Sequence, residues 1–392
     1  MTDESSLISL VTALLASRPL GNELEVSEWH ANVWRQLEDT GLSLVGVPEE
    51  AGGQGGSIAE ITTVVRLTGR HFARVPVAET AILAGWVLAE AGLSIPSGQL
   101  TVSLAGDPTF SLIGLGAERV ISGSASRVPY ATTAARVVVS ARDEFGDLWV
   151  ASLPAADLEL TPGQNLAGEP RDGVSCVYLP VQHQDLARVP SHVLETAHLR
   201  GALARGAAMV GAAERALDLT LRYARERVQF GRPLGKFQAI QGLVAEQSGE
   251  VAAAAAALDT AVEAMLTGRD VEISVAAAKT RIGSAASRAS AIAHQVHGAL
   301  GMTDEHPLHL ATLSMWSWRD EYGRDSEWAI TLGRSVAEAG GAGVWPLLTS
   351  VPAPPDTPIE EIGEGDDKQP GGSPGSGSAT PTQLSQEDEY QP

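Results

Sequence analysis

YARERVQFGRPLGKFQAIQ, Tyr223–Gln241, breaks a helical pattern in its middle. Upstream, residues 193–230 form one alanine-rich run with no proline or turn cluster before Gly231. Downstream, FQAIQGLVAEQSGEVAAAAAALDTAVEAMLTG, residues 237–268, restarts the same period. The break packs arginines, a phenylalanine and a Gly-x-Pro turn into a few residues. Gly231 and Pro233 punctuate helices, but a structural helix needs neither the arginines nor an exposed turn at that point.

Outward from this break, the C-terminal half reads as helices. DVEISVAAAKTRIGSAASRASAIAHQVHGAL, residues 270–300, is a third, and HPLHLATLSMWSWRDEYGRDSEWAITLGRSVAEAG, residues 306–340, is a fourth. Helices this rich in alanine approach closely, and four in succession predict an up-and-down bundle over 191–345. Before it the period changes. TVSLAG, RVISGSA, ARVVVSA, DLWVASL and VSCVYLPV are short, β-branched and separated by Gly, Pro and Asp. They predict a small antiparallel barrel or sandwich over 99–190. Residues 1–98 return to helical spacing through Trp29, Trp34 and Leu37, then 58–72 and 78–91. The intervening GLSLVGVPEEAGGQGG, Gly41–Gly56, reads as a loop. The expected fold is mainly α: an N-terminal helical domain, a central small β domain and a C-terminal four-helix bundle.

Composition narrows the function. The chain has 392 residues, 44% of them hydrophobic, and a net charge of −21. Such acidity argues against nucleic acid as a partner, because a phosphate backbone demands a basic surface. One cysteine, Cys176, permits neither an internal disulfide nor a multi-cysteine metal site, and a reducing, cytoplasmic setting is expected. No apolar run approaches the roughly 20 residues of a membrane span. From 352 to 392 the chain is acidic and rich in Pro, Gly and Ser, which predicts a disordered tail.

Three segments together resemble the acyl-CoA dehydrogenase family: Gly41–Gly56, Tyr223–Gln241 and QVHGALGMTDEHP, Gln295–Pro307. The likeness covers about residues 5 to 340, and the middle segment is the most specific. It implies FAD as cofactor, an acyl-CoA thioester as substrate, a trans-2-enoyl product and an electron-transfer flavoprotein as acceptor. A homo- or hetero-tetramer is implied as well. By resemblance, Arg227 meets the FAD diphosphate of a neighbouring subunit, Phe230 packs near it, and Gln238 contacts the cofactor. Gln295 and Gly298 match the second FAD segment, in which Ala299 replaces a glycine. No metal is implied.

The chemistry demands a carboxylate to take the acyl α-proton. Here the sequence departs from the family. Counted without gaps from Gly301, the usual position of the base holds Tyr322, followed by Gly323 and then Arg324 in place of a threonine. The minority position, early in the first bundle helix, falls at Gly201. Glu321 stands one residue from the usual position and is the expected base if the loop shifts. The family's Gly-Ser-Asp flavin contact has no equivalent in SLAGDPTFS, Ser103–Ser111. Such gaps resemble those of one chain in α2β2 assemblies, whose site is completed by an unlike subunit.

Overall fold

The computed structural model describes residues 4–16, 29–114 and 119–349. The expected tail at 352–392 lies outside the described residues. The N-terminal region contains α1 (Glu4–Ala16), α2 (Ala31–Asp39) and α3 (Ile58–Arg70). A capping box starts α3: Ser57 Oγ accepts from the Glu60 amide at 3.3 Å, and Glu60 Oε2 accepts from the Ser57 amide at 2.8 Å. The Gly41–Gly56 segment folds back on itself through an isolated bridge between Val47 and Gly55. Gly53 is required there, since a Cβ would lie 2.2 Å from the Val47 carbonyl oxygen. The expected helix at 78–91 begins as a π-helix, Ala78–Gly85, and continues as α4 (Trp86–Glu90). Every residue of the π-helix is buried.

Eight strands follow: β1 (Leu100–Ser103), β2 (Phe110–Ile113), β3 (Val120–Pro129), β4 (Arg136–Asp143), β5 (Leu148–Pro154), β6 (Glu159–Thr161), β7 (Arg171–Pro180) and β8 (Leu186–Arg188). They form one sheet in the order β6-β7-β3-β2-β4-β5-β8, with β1 also on β4. The sheet is mixed rather than purely antiparallel. β1 and β2 both run parallel to β4, at Arg136–Val139 and at Ala141–Asp143 respectively. This corrects the expectation of an antiparallel barrel or sandwich: short apolar runs do not encode strand direction, and β1 and β2 each meet β4 in parallel. Period-two alternation then splits the sheet between two cores. Leu100, Val102, Val138 and Val150 join the helical core, whereas Val137, Val139, Ala151 and Leu153 enclose the sheet's own. Cys176 is a buried free thiol.

The bundle is built on α5 (Ser191–Glu226), with α6 (Gln238–Thr267), α7 (Val271–His297), α8 (Leu308–Arg319) and α9 (Asp325–Thr349). Small residues let α5 touch its neighbours. A Cβ at Gly211 would lie 1.9 Å from the Arg66 carbonyl oxygen of α3, and one at Gly69 of α3 would lie 2.3 Å from that of Ala208. The fourth predicted helix is two, separated by a turn at 320–324 that contains left-handed Tyr322 (φ 54°) and Gly323 (φ 92°). The first bundle helix also ends earlier than Gly231. It stops at Glu226, and a two-stranded hairpin of β9 (Val228–Gln229) and β10 (Arg232–Pro233) follows.

Candidate active site

The hairpin explains the sequence from which the reading began. Arg227 leaves the helix in extended conformation while its amide still donates to the Tyr223 carbonyl at 2.8 Å. Phe230 and Gly231 take φ of 52° and 81°, two consecutive left-handed residues as a tight two-residue hairpin turn requires. Phe230 is therefore thrown outward and is 91% exposed. Phe237 supports the base of the finger, edge-on to Phe230 at 6.2 Å and beneath the Arg232 guanidinium at 4.1 Å. Gln238 opens α6 as an exposed residue.

A ring stack ties this finger to the second expected cofactor segment. Tyr223 stacks on His297 at 4.6 Å, and His297 lies 4.6 Å from His306. Burial lowers the pKa of both imidazoles, and burial with the neighbouring His297 and Arg222 pushes His306 down to about 4. Both are neutral at pH 7. The stack brings the end of α5 and the end of α7 to one end of the bundle. Gln295 and Gly298 are exposed there. Gly298 (φ 60°, ψ −141°) has no atom within 4 Å of where a Cβ would sit, so a ligand can approach its backbone. Gln295 and Gly298 also rim a groove of 640 Å3 between α7 and α8, whose apolar wall includes Met302, Leu313 and Trp316. All five expected cofactor residues thus lie on one outer end of the molecule. An exposed guanidinium beside open glycine backbone fits a diphosphate that arrives from outside the chain.

The inward half of a flavin site fits less well. The Ser103–Ser111 loop presents no hydroxyl-aspartate pair, and its backbone is already engaged. Ser140 Oγ accepts from the Ala105 amide at 3.0 Å and donates to the Ala105 carbonyl at 3.1 Å. Arg142 donates to the Gly106 carbonyl at 3.1 Å, and Asp107 is fully exposed.

At the junction of the three regions lies a buried ionic network. Glu321 accepts from Arg171 Nε at 2.7 Å on one oxygen and from Arg205 Nε at 2.5 Å on the other. Arg205 also pairs with Glu79 of the π-helix. Arg171 also pairs with Glu169 at 3.0 Å, which in turn accepts from Trp318 Nε1 at 2.7 Å. Burial pushes the Glu321 pKa up, but Arg205 and Arg171 outweigh it and hold the carboxyl at about 2. A carboxylate with both oxygens engaged and so low a pKa has little capacity to accept a carbon-bound proton. The expected base is therefore placed among arginines, whereas the five expected cofactor residues lie on the finger and at the α7 end.

Sequence reading missed Arg171, Arg205, Glu79 and Glu169. One signal was present: Arg200 and Arg205 interrupt an otherwise small and apolar stretch, LRGALARGAAMV. Both turn out to be buried. Arg200 donates to the Ile82 carbonyl at 2.8 Å and covers Trp86, and burial lowers its pKa to about 10.

The two positions counted as family base positions meet in space. A Cβ at Gly201 would lie 2.4 Å from the Tyr322 ring. Neither carries a carboxylate. Among the described residues, no cluster of three or more His, Cys, Asp or Glu is arranged to hold a metal, and no helix is long and apolar enough to cross a membrane.

Comparison with known proteins agrees with this architecture. Residues 192–318 match the family model for the acyl-CoA dehydrogenase C-terminal domain. Acyl-CoA dehydrogenase IpdE2 of Mycobacterium tuberculosis is 30% identical over 71% of this chain and 78% of its own length. Among solved structures, the ChsE4-ChsE5 complex of Mycobacterium tuberculosis aligns with a TM-score of 0.77 and 25% identity, over 86% of this chain and 98% of that one. A variant of the Tcur3481-Tcur3483 steroid acyl-CoA dehydrogenase gives 0.75 and 27%, over the same shares. With the helical region, the central sheet, the bundle and its finger all in place, the chain belongs to the acyl-CoA dehydrogenase family.

Proposed function

We propose that this chain is one subunit of an FAD-dependent acyl-CoA dehydrogenase whose active site is shared with an unlike partner, and that the partner supplies the base. The observation that carries this reading is the meeting of Gly201 and Tyr322. Both family base positions converge on one point, as they must if the counting is right, and neither side chain can take a proton from carbon at neutral pH. Burial holds the Tyr322 phenol above even its ordinary high pKa. Glu321 is a structural anion on this reading, neutralising Arg171 and Arg205. The similar structures named ChsE4-ChsE5 and Tcur3481-Tcur3483 each carry two chain names, which supports a two-chain assembly here.

In such an assembly Arg227, Phe230, Gln238, Gln295 and Gly298 would hold the FAD of the partner. When bound, FAD accepts the hydride leaving the acyl β-carbon. The finger clamps and orients the cofactor, while the partner's carboxylate takes the α-proton and the 2-enoyl thioester results. An electron-transfer flavoprotein is the acceptor the resemblance implies.

The test is the visible spectrum of the chain purified alone and after co-expression with an acyl-CoA dehydrogenase chain encoded beside it. Colourless protein alone and yellow protein from the pair is the expected result. Full flavin occupancy in the isolated chain would overturn the shared-site reading.

A further inference from the structure

We propose that Tyr322 closes the acyl end of this chain's own site, so that the chain by itself takes no acyl-CoA thioester. The proposal rests on the shared-site reading and deepens it. An acyl group would need room against α5 at Gly201. That room is taken by a ring. His198, Gly201 and Arg205 lie on one face of α5, and all three border Tyr322. The His198 ring is 6.1 Å away, and the Arg205 guanidinium is 5.9 Å from the Tyr322 ring centroid. Gly201 is the only one of the three without a side chain, and the ring rests on it.

The ring is held there by its backbone. Tyr322 has φ 54°, a left-handed conformation that a tyrosine adopts only under constraint. Two donors supply the constraint through three hydrogen bonds. Lys279 Nζ donates to the Arg319 carbonyl at 3.2 Å and to the Glu321 carbonyl at 3.0 Å, and Trp328 Nε1 donates to the Tyr322 carbonyl at 3.0 Å. Trp328 is in turn stacked on His198 at 5.5 Å. Glycine follows at 323, where a Cβ would lie 2.6 Å from Trp328 Nε1. A turn fixed from both sides, with its strained residue laid on the bare Gly201 position of α5, is built to keep that residue in place.

The experiment is calorimetric titration of the full chain, purified alone, with octanoyl-CoA and butyryl-CoA. The wild type is expected to bind neither, and Tyr322→Ala to bind octanoyl-CoA with a Kd at least about tenfold below the highest concentration at which the wild type shows no binding. If Tyr322→Ala does not fold, Tyr322→Leu keeps the apolar contact with Gly201 while removing the ring, and carries the same expectation. Wild-type binding equal to that of the variant, or a folded variant that gains nothing, overturns the proposal. Flavin absorbance read on the same samples separates the two ideas. A chain that holds flavin alone overturns the shared-site reading, whereas acyl-CoA binding by the wild type overturns the plug.

Discussion

Glu321 shows how an environment sets a residue's role. By itself a glutamate next to the family's base position is the obvious proton acceptor. Between Arg171 and Arg205 it becomes the anion that makes two buried cations tolerable. Arg171 keeps Glu169 and Arg205 keeps Glu79 when the Glu321 charge is removed, so Glu321→Gln loses charge-assisted hydrogen bonds rather than the last counter-ion and should destabilise the fold by about 1.5–3 kcal/mol. Denaturant melts of wild type and variant measure this directly. The pH dependence has a definite sign. The folded pKa of about 2 lies below the ordinary 4.5, so the unfolded chain binds more protons between those values. The contribution is complete above about pH 4.5 and is lost as pH falls toward 2. Wild type should therefore lose stability across that window more steeply than Glu321→Gln, and parallel acid curves would contradict the pairing.

At the scale of elements, two devices make separate predictions. The hairpin between α5 and α6 exists to hold Arg227 and Phe230 outward, and neither contributes to the core. Arg227→Ala should leave thermal stability within about 0.5 kcal/mol, as exposed substitutions do. It should weaken flavin retention in the assembled enzyme by roughly 10- to 150-fold, the loss of a hydrogen bond to a charged group. Dialysis against limiting FAD, followed by absorbance, reads the second effect. The α3–α5 contact makes the opposite demand. Gly211→Ala forces a methyl onto the Arg66 carbonyl, 1.9 Å away, and should cost about 1–3 kcal/mol or more. Gly249→Ala, in α6 with nothing within 4 Å, should instead stabilise by about 0.5–1 kcal/mol. Thermal melts of the two variants should move in opposite directions.

At the scale of the whole molecule, the outer end carries the residues proposed to hold the cofactor and the interior carries charge pairs. That division is what a subunit contributing to another chain's site would show. The chain should therefore co-purify with its partner at a fixed ratio, with flavin tracking the pair rather than this chain. Size-exclusion chromatography with absorbance at flavin and protein wavelengths measures both. Flavin eluting with this chain free of partner would contradict it.

The sequence by itself determined the order of helices, strands and bundle, because hydrophobic period and Gly/Pro punctuation are local properties of the chain. It also located the break that the finger occupies, through Gly231 and Pro233, and with the family resemblance it counted Gly201 and Tyr322 into the base positions. Only the tertiary structure decided that β1 and β2 run parallel to β4, because direction depends on which distant strand each one meets. It broke the fourth helix at 320–324, where Lys279 from α7 and Trp328 from α9 stabilise a left-handed turn that local propensity disfavours. It also set Glu321, the base expected from the sequence, at the centre of an ionic network. Arg171 is 150 residues away from Glu321 and Arg205 is 116, and a charge acquires its pKa from neighbours in space, which sequence spacing does not reveal.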